Sequence, residues 1–528
     1  MFLPWSQAYL LTAGLTRIKL QESHDMTVMM EPQPWQANFR SLALHWLLAS
    51  LMLAGVVVAN AEPVNSLSKV KTLYISPLHG AKEADRLRED LARRLAGSRF
   101  KLVQSSKSAD AIVTGTVEIW VKGYVSVDPR APSANRQAAY AGYFSFEVSS
   151  PTGEPLWSWL VTPQRLLWSD IVDNLASQAA RKLLEAAAKT PEPSGSASSL
   201  PVALAKTDLA AAGATFPAPL YQKWFEDFEQ LNSGVHIRYS PIGSQAGVEK
   251  LVAREVDFAG SDVAPAVAVG ASAASHFRRI ASVLGAVVPI YNLTGETRVL
   301  NFSPDVLADI YMGRAQKWND DAIRRLNKGV NLPDAGIKVV HRSDGSGTTW
   351  IWSDFLSKTS PYWSSSVGRG TTLRWPVGIG AEGNDGVAEA VRNTPNSIGY
   401  VELTYAIRRK LSFGAVRNRA GQFVQASLES VAAAAKSASV SDESAHTLSD
   451  SSARLAYPVA AFTWLVVPAD AADPSKRAAL AELLKWILTS GQKECSSLGY
   501  APLPREVVED QLRIVDSLRQ GQRSTNLP

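Results

Sequence analysis

Three short segments built largely from glycine, serine and threonine stand where an extended run hands over to a helical pattern, and they constrain this chain more than any other feature. They are Ala212-Gly213-Ala214-Thr215-Phe216-Pro217, Gly243-Ser244-Gln245-Ala246-Gly247 and Arg342-Ser343-Asp344-Gly345-Ser346-Gly347-Thr348-Thr349. The first precedes Leu220, Trp224, Phe228 and Leu231, an apolar stripe at helical spacing, and Pro217 suits the first helical turn. The second follows the alternating Val235, Ile237 and Tyr239. The third follows the apolar strand 337–340 and opens a helix that carries Trp352 and Phe355. A helix start presents unpaired N–H groups at the positive end of its dipole, so three such starts together can surround an oxyanion with uncharged donors. Taken singly, none of these turns is convincing, and each reads more readily as an ordinary structural junction.

One basic and two acidic residues set among these turns give the pattern a direction. Arg342 precedes the third turn and offers a planar fork of donors that suits an anion, with Asp344 placed to orient it. Asp262 ends Val256-Asp257-Phe258-Ala259-Gly260-Ser261-Asp262, where an apolar strand runs into a turn. A carboxylate facing an anion repels it unless the anion has a proton to share, so Asp262 favours hydrogen phosphate over sulfate.

Composition excludes several classes. A net charge of +5 over 528 residues is modest, and residues 62–190 alone hold 17 Lys and Arg against 13 Asp and Glu, which leaves the rest of the chain near neutral. Nucleic-acid binding requires clustered cations, so any anion site here is local. A single cysteine, Cys495, rules out an intramolecular disulfide framework and reads as a small residue near a helix end. No cluster of His and carboxylates suits a metal pair, no G-x-S-x-G elbow surrounds Ser346, and Gly345-Ser346-Gly347-Thr348 lacks the lysine of a nucleotide-binding P-loop. A phosphatase or serine hydrolase using Ser346 with His341 is the weaker alternative, and no cofactor is expected.

The chain divides by composition. The apolar run from Leu42 to Val58 follows Arg40 and leads into Ala59-Asn60-Ala61, so residues 1–61 are expected to be a signal peptide cleaved after Ala61, with translation starting at Met26, Met29 or Met30. The alternative is an uncleaved anchor. Residues 62–189 read as strand, helix, strands and helix: Val70–Ser76, then Ala84, Leu87, Leu91 and Leu95 before Gly97, then Ala111–Trp120, Ala139–Ser149, and Val172, Leu175, Ala179 and Leu183. This predicts a small α+β envelope domain whose Arg86, Arg88, Arg93 and Arg94 form a solvated face; an envelope partner is the lesser reading. Residues 190–207, rich in Pro, Ser and Gly, predict a flexible linker.

From about Asp208 to 520 the chain resembles the periplasmic phosphate-binding subunit of the bacterial phosphate ABC transporter. The resemblance rests on the stretches 212–224, Val256–Asp262, Arg342–Thr348, Trp375-Pro376-Val377-Gly378, Gly383-Asn384-Asp385-Gly386-Val387 and Ile398-Gly399-Tyr400-Val401-Glu402, in order and at matching spacing. It implies an α/β, two-lobed, hinged binding-protein fold (type II-like). It also implies phosphate contacts at Thr215, Phe216 through its backbone, Ser244, Asp262, Arg342, Ser346, Gly347 and Thr348, with Asp344 as the partner of the arginine. The chain departs from the family at Gln245-Ala246, where a smaller pair is usual and the approach to Ser244 is expected to narrow. It departs also at Ala381-Glu382, a surface change, and over 426–455, expected to be variable lobe surface.

The expected lobes are about 208–286 with the chain from about 460, and about 290–455, with crossings near Val287–Tyr291 and Phe462–Val467. The expected function is phosphate capture in the periplasm or cell envelope by a monomer that delivers its ligand to a membrane permease. The alternative is a surface sensor or scavenger that feeds no transporter.

Overall fold

The computed structural model describes residues 66–126, 136–163, 168–189, 204–294, 298–436, 448–469 and 472–520. The expected signal peptide, most of the expected linker and part of the Ala/Ser-rich stretch lie outside them.

A single long strand organises the larger part of the chain. Phe277–Asn292 is sixteen residues long, and from Ile280 to Tyr291 it is apolar except for Ser282 and buried without a break. A strand buried on both faces carries such a run rather than an alternating one. Its first half pairs antiparallel with Ala460–Pro468, from Phe277 against Pro468 to Ala286 against Ala460. Its second half pairs antiparallel with Ser397–Glu402, from Val287 against Glu402 to Asn292 against Ser397. The partner changes at Ala286/Val287, so one strand belongs to both lobes.

Around this spine each lobe adds parallel strands. In lobe 1, Thr207–Gly213 lies parallel to Val235–Ser240 and to Phe258–Ser261, which pairs in turn with Ala460–Pro468. In lobe 2, Lys338–Arg342 lies parallel to Ser397–Glu402 and to Ile379–Ala381. The first crossing falls where the sequence predicts it. The return crossing lies just before Phe462–Val467, because Val459 O already accepts from Val287 N at 2.9 Å and the strand from Ala460 belongs to lobe 1.

Close approach between elements depends on glycine at two points. Gly213 has φ 141°, and a Cβ there would stand 2.0 Å from Gly260 O. A Cβ on Gly247 would stand 2.3 Å from the Cα of Gly213, so the helix Ser244–Val252 rests directly on the end of Thr207–Gly213. The helix Ala218–Leu231 buries Leu220, Tyr221, Trp224, Phe225 and Phe228. Leu231, expected to close that stripe, is 65% exposed because the helix ends there and its last turn overhangs the core. The helix Leu428–Ala435 buries Leu428, Val431, Ala434 and Ala435, so this part of 426–455 is packed rather than surface.

The front residues form their own sheet and core. Strand order is Lys101–Leu102, Thr72–Ile75, Ala111–Ser126, Arg136–Ser149, Pro155–Val161, and the helices Ala84–Leu95 and Trp168–Ala188 cover one face. Sequence periodicity did not single out the short Lys101–Leu102 or the longer Pro155–Val161. The latter reads Pro-Leu-Trp-Ser-Trp-Leu-Val, and its serine and tryptophans serve a packing surface on both sides.

That second surface is the turn 491–498 of lobe 1. Ser158 Oγ donates to Lys493 O at 2.5 Å and accepts from Ser497 N at 3.2 Å, while Ser145 Oγ donates to Ser497 O at 2.6 Å. Tyr143, Trp159 and Leu160 pack on the larger core. Beside this interface Glu147 of the front sheet faces Lys223, Asp227 and Glu494. Burial raises the Glu494 carboxyl well above the usual range, and the neighbouring Asp227 and Glu147 push it the same way while Lys223 opposes.

A carboxyl whose folded pKa is raised holds a proton that the unfolded chain has lost. Its contribution to stability is full below the unfolded value of about 4.3 and disappears as pH rises through the elevated folded value. Melting of the wild type is therefore expected to fall with rising pH across this window, by up to about 1.4 kcal/mol per pH unit for one proton. Glu494→Gln, which mimics the protonated acid, should flatten that slope; equal slopes in calorimetric scans at several pH values would show that Glu494 titrates normally.

Candidate functional site

Each segment singled out in sequence lies at the carboxyl end of a parallel strand, the position at which open α/β sheets bind ligands. Thr207–Gly213 ends in Thr215 and Phe216, Val235–Ser240 leads to Ser244, Phe258–Ser261 leads to Asp262, and Lys338–Arg342 leads to Asp344 and the helix start at Gly347. Helix Ala218–Leu231 has Pro217 at its N-cap, helix Ser244–Val252 has Gly243, and helix Gly347–Thr359 has Ser346. Their first-turn amides lack intrahelical partners.

The structure brings these residues to one place. Gly347 of lobe 2 lies so close to lobe 1 that a Cβ there would stand 2.4 Å from Ser244 Oγ and 2.6 Å from Asp262 Oδ2. Asp262 N donates to Ser244 Oγ at 3.2 Å, and Ser244 Oγ donates in return to Asp262 Oδ2 at 3.3 Å. Asn384, at the start of the helix Gly383–Asn393, donates from Nδ2 to Thr215 Oγ1 at 2.9 Å and to Thr348 Oγ1 at 3.2 Å. Phe216 is buried, its carbonyl accepting from Tyr500 Oη at 2.8 Å, and Thr215 O accepts from Tyr405 Oη at 2.6 Å.

Arg342 carries the site's positive charge and is 3% exposed. Its Nε donates to Asp344 Oδ1 at 2.7 Å and its Nη2 to Asp344 Oδ2, a bidentate pair, whereas Nη1 is buried without a hydrogen-bond partner among the described residues. Burial pushes the Asp344 carboxyl up, but the hydrogen bonds and charge of Arg342 outweigh it and hold Asp344 below the usual range. Asp344 is therefore a fixed anion that consumes two arms of the fork and leaves the third available.

Asp262 is the opposite case. It is 1% exposed, and burial pushes its carboxyl up to about 7 against the hydrogen bond from Thr463, the charge of Arg342 and the hydrogen bond from Ser244. Thr463 Oγ1 lies 2.7 Å from Asp262 Oδ1. At neutral pH this carboxyl stands near its midpoint and can take or give a proton.

The partners of each hydroxyl limit what it can do. Ser346 Oγ accepts from Thr349 N at 3.1 Å, Ser244 Oγ accepts from Asp262 N, and both threonine hydroxyls accept from Asn384. A hydroxyl that already accepts has its own proton to give. Three hydroxyl donors, Thr215, Ser346 and Thr348, one guanidinium nitrogen and the amides of the helix starts thus line a cleft that also holds one carboxyl of tunable charge, to which Ser244 gives its proton. The chemistry of this arrangement suits an anion, and neither residue of the hydrolase alternative is poised for attack: Ser346 caps its own helix, and the His341 ring stacks on Trp375 at 4.7 Å with Nδ1 3.0 Å from Arg342 O.

Two residues stand closer to the cleft than sequence reasoning placed them. Asn384 lay within a noted stretch, but nothing in the sequence gave it a role. Gln245, expected to narrow the approach to Ser244, crosses the cleft: its N–H donates to Gly345 O at 3.2 Å and its Oε1 accepts from Thr371 Oγ1 at 2.8 Å.

Comparison with known proteins agrees with this architecture. Residues 193–490 match the model of the PBP superfamily domain. The phosphate-binding protein PstS of Xylella fastidiosa (strain Temecula1) is 40% identical over 304 residues, which are 57% of this chain and 83% of that protein. The PstS of Pasteurella multocida (strain Pm70) is 40% identical over 303 residues, 56% of this chain and 87% of its own. Among solved structures, the phosphate-bound periplasmic phosphate-binding protein PfluDING aligns with 21% identity over 58% of this chain and 92% of its own, with a TM-score of 0.47. This chain belongs to the PBP superfamily and, within it, to the family of phosphate-binding proteins PstS.

Proposed function

We propose that this protein captures one inorganic phosphate ion between its lobes in the cell envelope and presents it to the membrane permease of an ABC transporter. The observation that carries the reading is the commitment of the site's hydroxyls: Thr215, Ser346 and Thr348 each accept a hydrogen bond from the protein and have a proton to turn toward a ligand, while Ser244, the fourth proposed hydroxyl contact, gives its proton to Asp262. Burying a multiply charged ion is tolerable only when nearly all its oxygens are hydrogen-bonded, and uncharged donors do this without the grip of many cations. The amides of Phe216, Gly347 and Thr348 and the Nη1 of Arg342 complete the proposed set.

Asp262 supplies the selection. As a carboxylate it accepts the proton that hydrogen phosphate retains, and it repels sulfate, which has none. The relatives' names support the ligand, and no described helix is long and apolar enough to cross a membrane. The reading includes residues 1–61 as a signal peptide, 62–189 as a small α+β envelope module, 190–207 as a linker, and a monomeric binding module over 208–520. Closure between lobes about the spine strand is what a permease would recognise.

Calorimetric titration with phosphate, arsenate, sulfate and molybdate tests the function; no heat with millimolar phosphate, or equal affinity for sulfate, ends it. Two variants test the roles. Asp262→Asn should bind phosphate more weakly and lose discrimination against sulfate, and the wild type's phosphate-to-sulfate ratio should shrink as pH falls below about 7, where a protonated Asp262 has a hydrogen to offer sulfate. A ratio independent of pH and unchanged in the variant would remove Asp262 from the selection. Gly347→Ala places a methyl against Ser244 and Asp262, so phosphate affinity should drop by roughly 100-fold or more while melting stays within a few degrees, the strain being felt between lobes rather than within one; wild-type affinity would mean that the lobes do not meet there in the bound form.

A further inference from the structure

We infer that Asn384 is the positioning residue that commits one threonine hydroxyl from each lobe to donate toward the bound ion. This deepens the phosphate reading and rests on it. Asn384 is fully buried, and its Oδ1 accepts from Glu402 N at 2.9 Å. That bond fixes the amide's orientation, because the oxygen must face the backbone donor and the NH2 group must then face away. An amide nitrogen has two hydrogens and cannot accept. Its two hydrogens go to Thr215 Oγ1 in lobe 1 and Thr348 Oγ1 in lobe 2, and Asn384 N lies 3.4 Å from Thr215 Oγ1 as a second donor.

Both threonine oxygens are thus occupied as acceptors, and each has one proton that a buried site must place on some acceptor. A free hydroxyl turns either way and greets donor and acceptor ligands alike. These two are biased toward oxyanions before any ligand arrives, and a single side chain does it across the cleft. Glu402 stands behind this arrangement, since the backbone N–H that orients Asn384 is its own.

Phosphate titration of the wild type, Asn384→Ala, Asn384→Asp, Thr348→Val and the combination Asn384→Ala with Thr348→Val tests this. Asn384→Ala should weaken binding roughly 10- to 100-fold. Asn384→Asp has the same shape but accepts only, so it draws both hydroxyl protons to itself and should bind more weakly still. In the Thr348→Val background the loss from Asn384→Ala should shrink by at least about threefold, since one of its two clients is gone. Affinity within about twofold of wild type for both single Asn384 variants, or an equal loss in both backgrounds, overturns the inference while leaving phosphate binding standing. Failure of the wild type to bind phosphate defeats the functional reading and this inference together.

Independent contacts point to a second device: the front module straps the two lobes together. It is anchored on lobe 1 through Ser145, Ser158 and the turn 491–498, as described. On lobe 2, Lys182 pairs with Glu429 at 2.7 Å while lying 4.9 Å over the Trp159 ring, and Glu118 pairs with Lys410 at 2.8 Å, with Lys410 lying 5.4 Å over the Trp120 ring. Bridges of this kind weaken when salt screens them. The substitutions Glu118→Ala and Lys182→Ala together remove both bridges to lobe 2 while the anchor bonds of Ser145 and Ser158 and the cleft residues keep their own partners. They should weaken phosphate binding about two- to fivefold at low salt, with the gap closing near molar salt, and should lengthen the lobe-to-lobe distance read by paired fluorophores without phosphate. Unchanged affinity and distance at low salt, or a gap indifferent to salt, overturns the strap.

Discussion

A guanidinium taken almost wholly out of water, with two nitrogens bound to Asp344 and the third left over, sets the terms for the rest of the cleft. A buried cation costs several kcal/mol unless it is paired, and Asp344 meets that requirement without exhausting the fork. The pair is close to neutral as a unit, so the surplus of the site lies in hydrogen-bond donors rather than in charge. The turns that present those donors are short because Gly213 and Gly247 let backbone meet backbone, and a side chain at either would part the elements that carry Thr215 and Ser244.

Two carboxyls close to the same arginine are driven in opposite directions. Asp344 receives two guanidinium hydrogen bonds and falls; Asp262 is buried more deeply, shares only the field of Arg342, and rises to about 7. Direct hydrogen bonding to the charged form wins over desolvation in the first case and loses in the second. One sequence therefore makes a permanent anion and a proton-sensitive one within a single cleft. On the proposed reading the first orients the arginine and the second inspects the ligand.

Movement between lobes is confined by the way they are joined. Phe277–Asn292 passes unbroken from one lobe to the other, so rotation concentrates where its pairing changes, at Ala286/Val287 and at the return before Ala460. Gln245, Asn384 and Tyr405 then bridge the cleft mouth and floor by hydrogen bonds that exist only when the lobes meet. The front module adds contacts to both lobes from outside. A pocket built this way couples ligand contact to shape, because the donors that face an ion are held by bonds that span the cleft.

What the sequence determined by itself was local: strands that end in glycine- and hydroxyl-rich turns, a basic residue with an acidic neighbour two positions on, and an isolated aspartate at a strand end. These are properties of adjacent residues, so periodicity, turn chemistry and family resemblance made Thr215, Ser244, Asp262, Arg342, Asp344, Ser346 and Thr348 legible as candidates. The overhang of Leu231, the packed helix at Leu428–Ala435 and the strand Pro155–Val161 were not legible, since each depends on what lies across from it. Asn384 and Gln245 escaped for the same reason. Their partners are Thr215 and Thr348 for one and Gly345 and Thr371 for the other, and no spacing along the chain encodes a hydrogen bond between lobes. Only the tertiary structure decided which hydroxyls accept and therefore which donate, because a proton's direction is fixed by every neighbour of its oxygen at once.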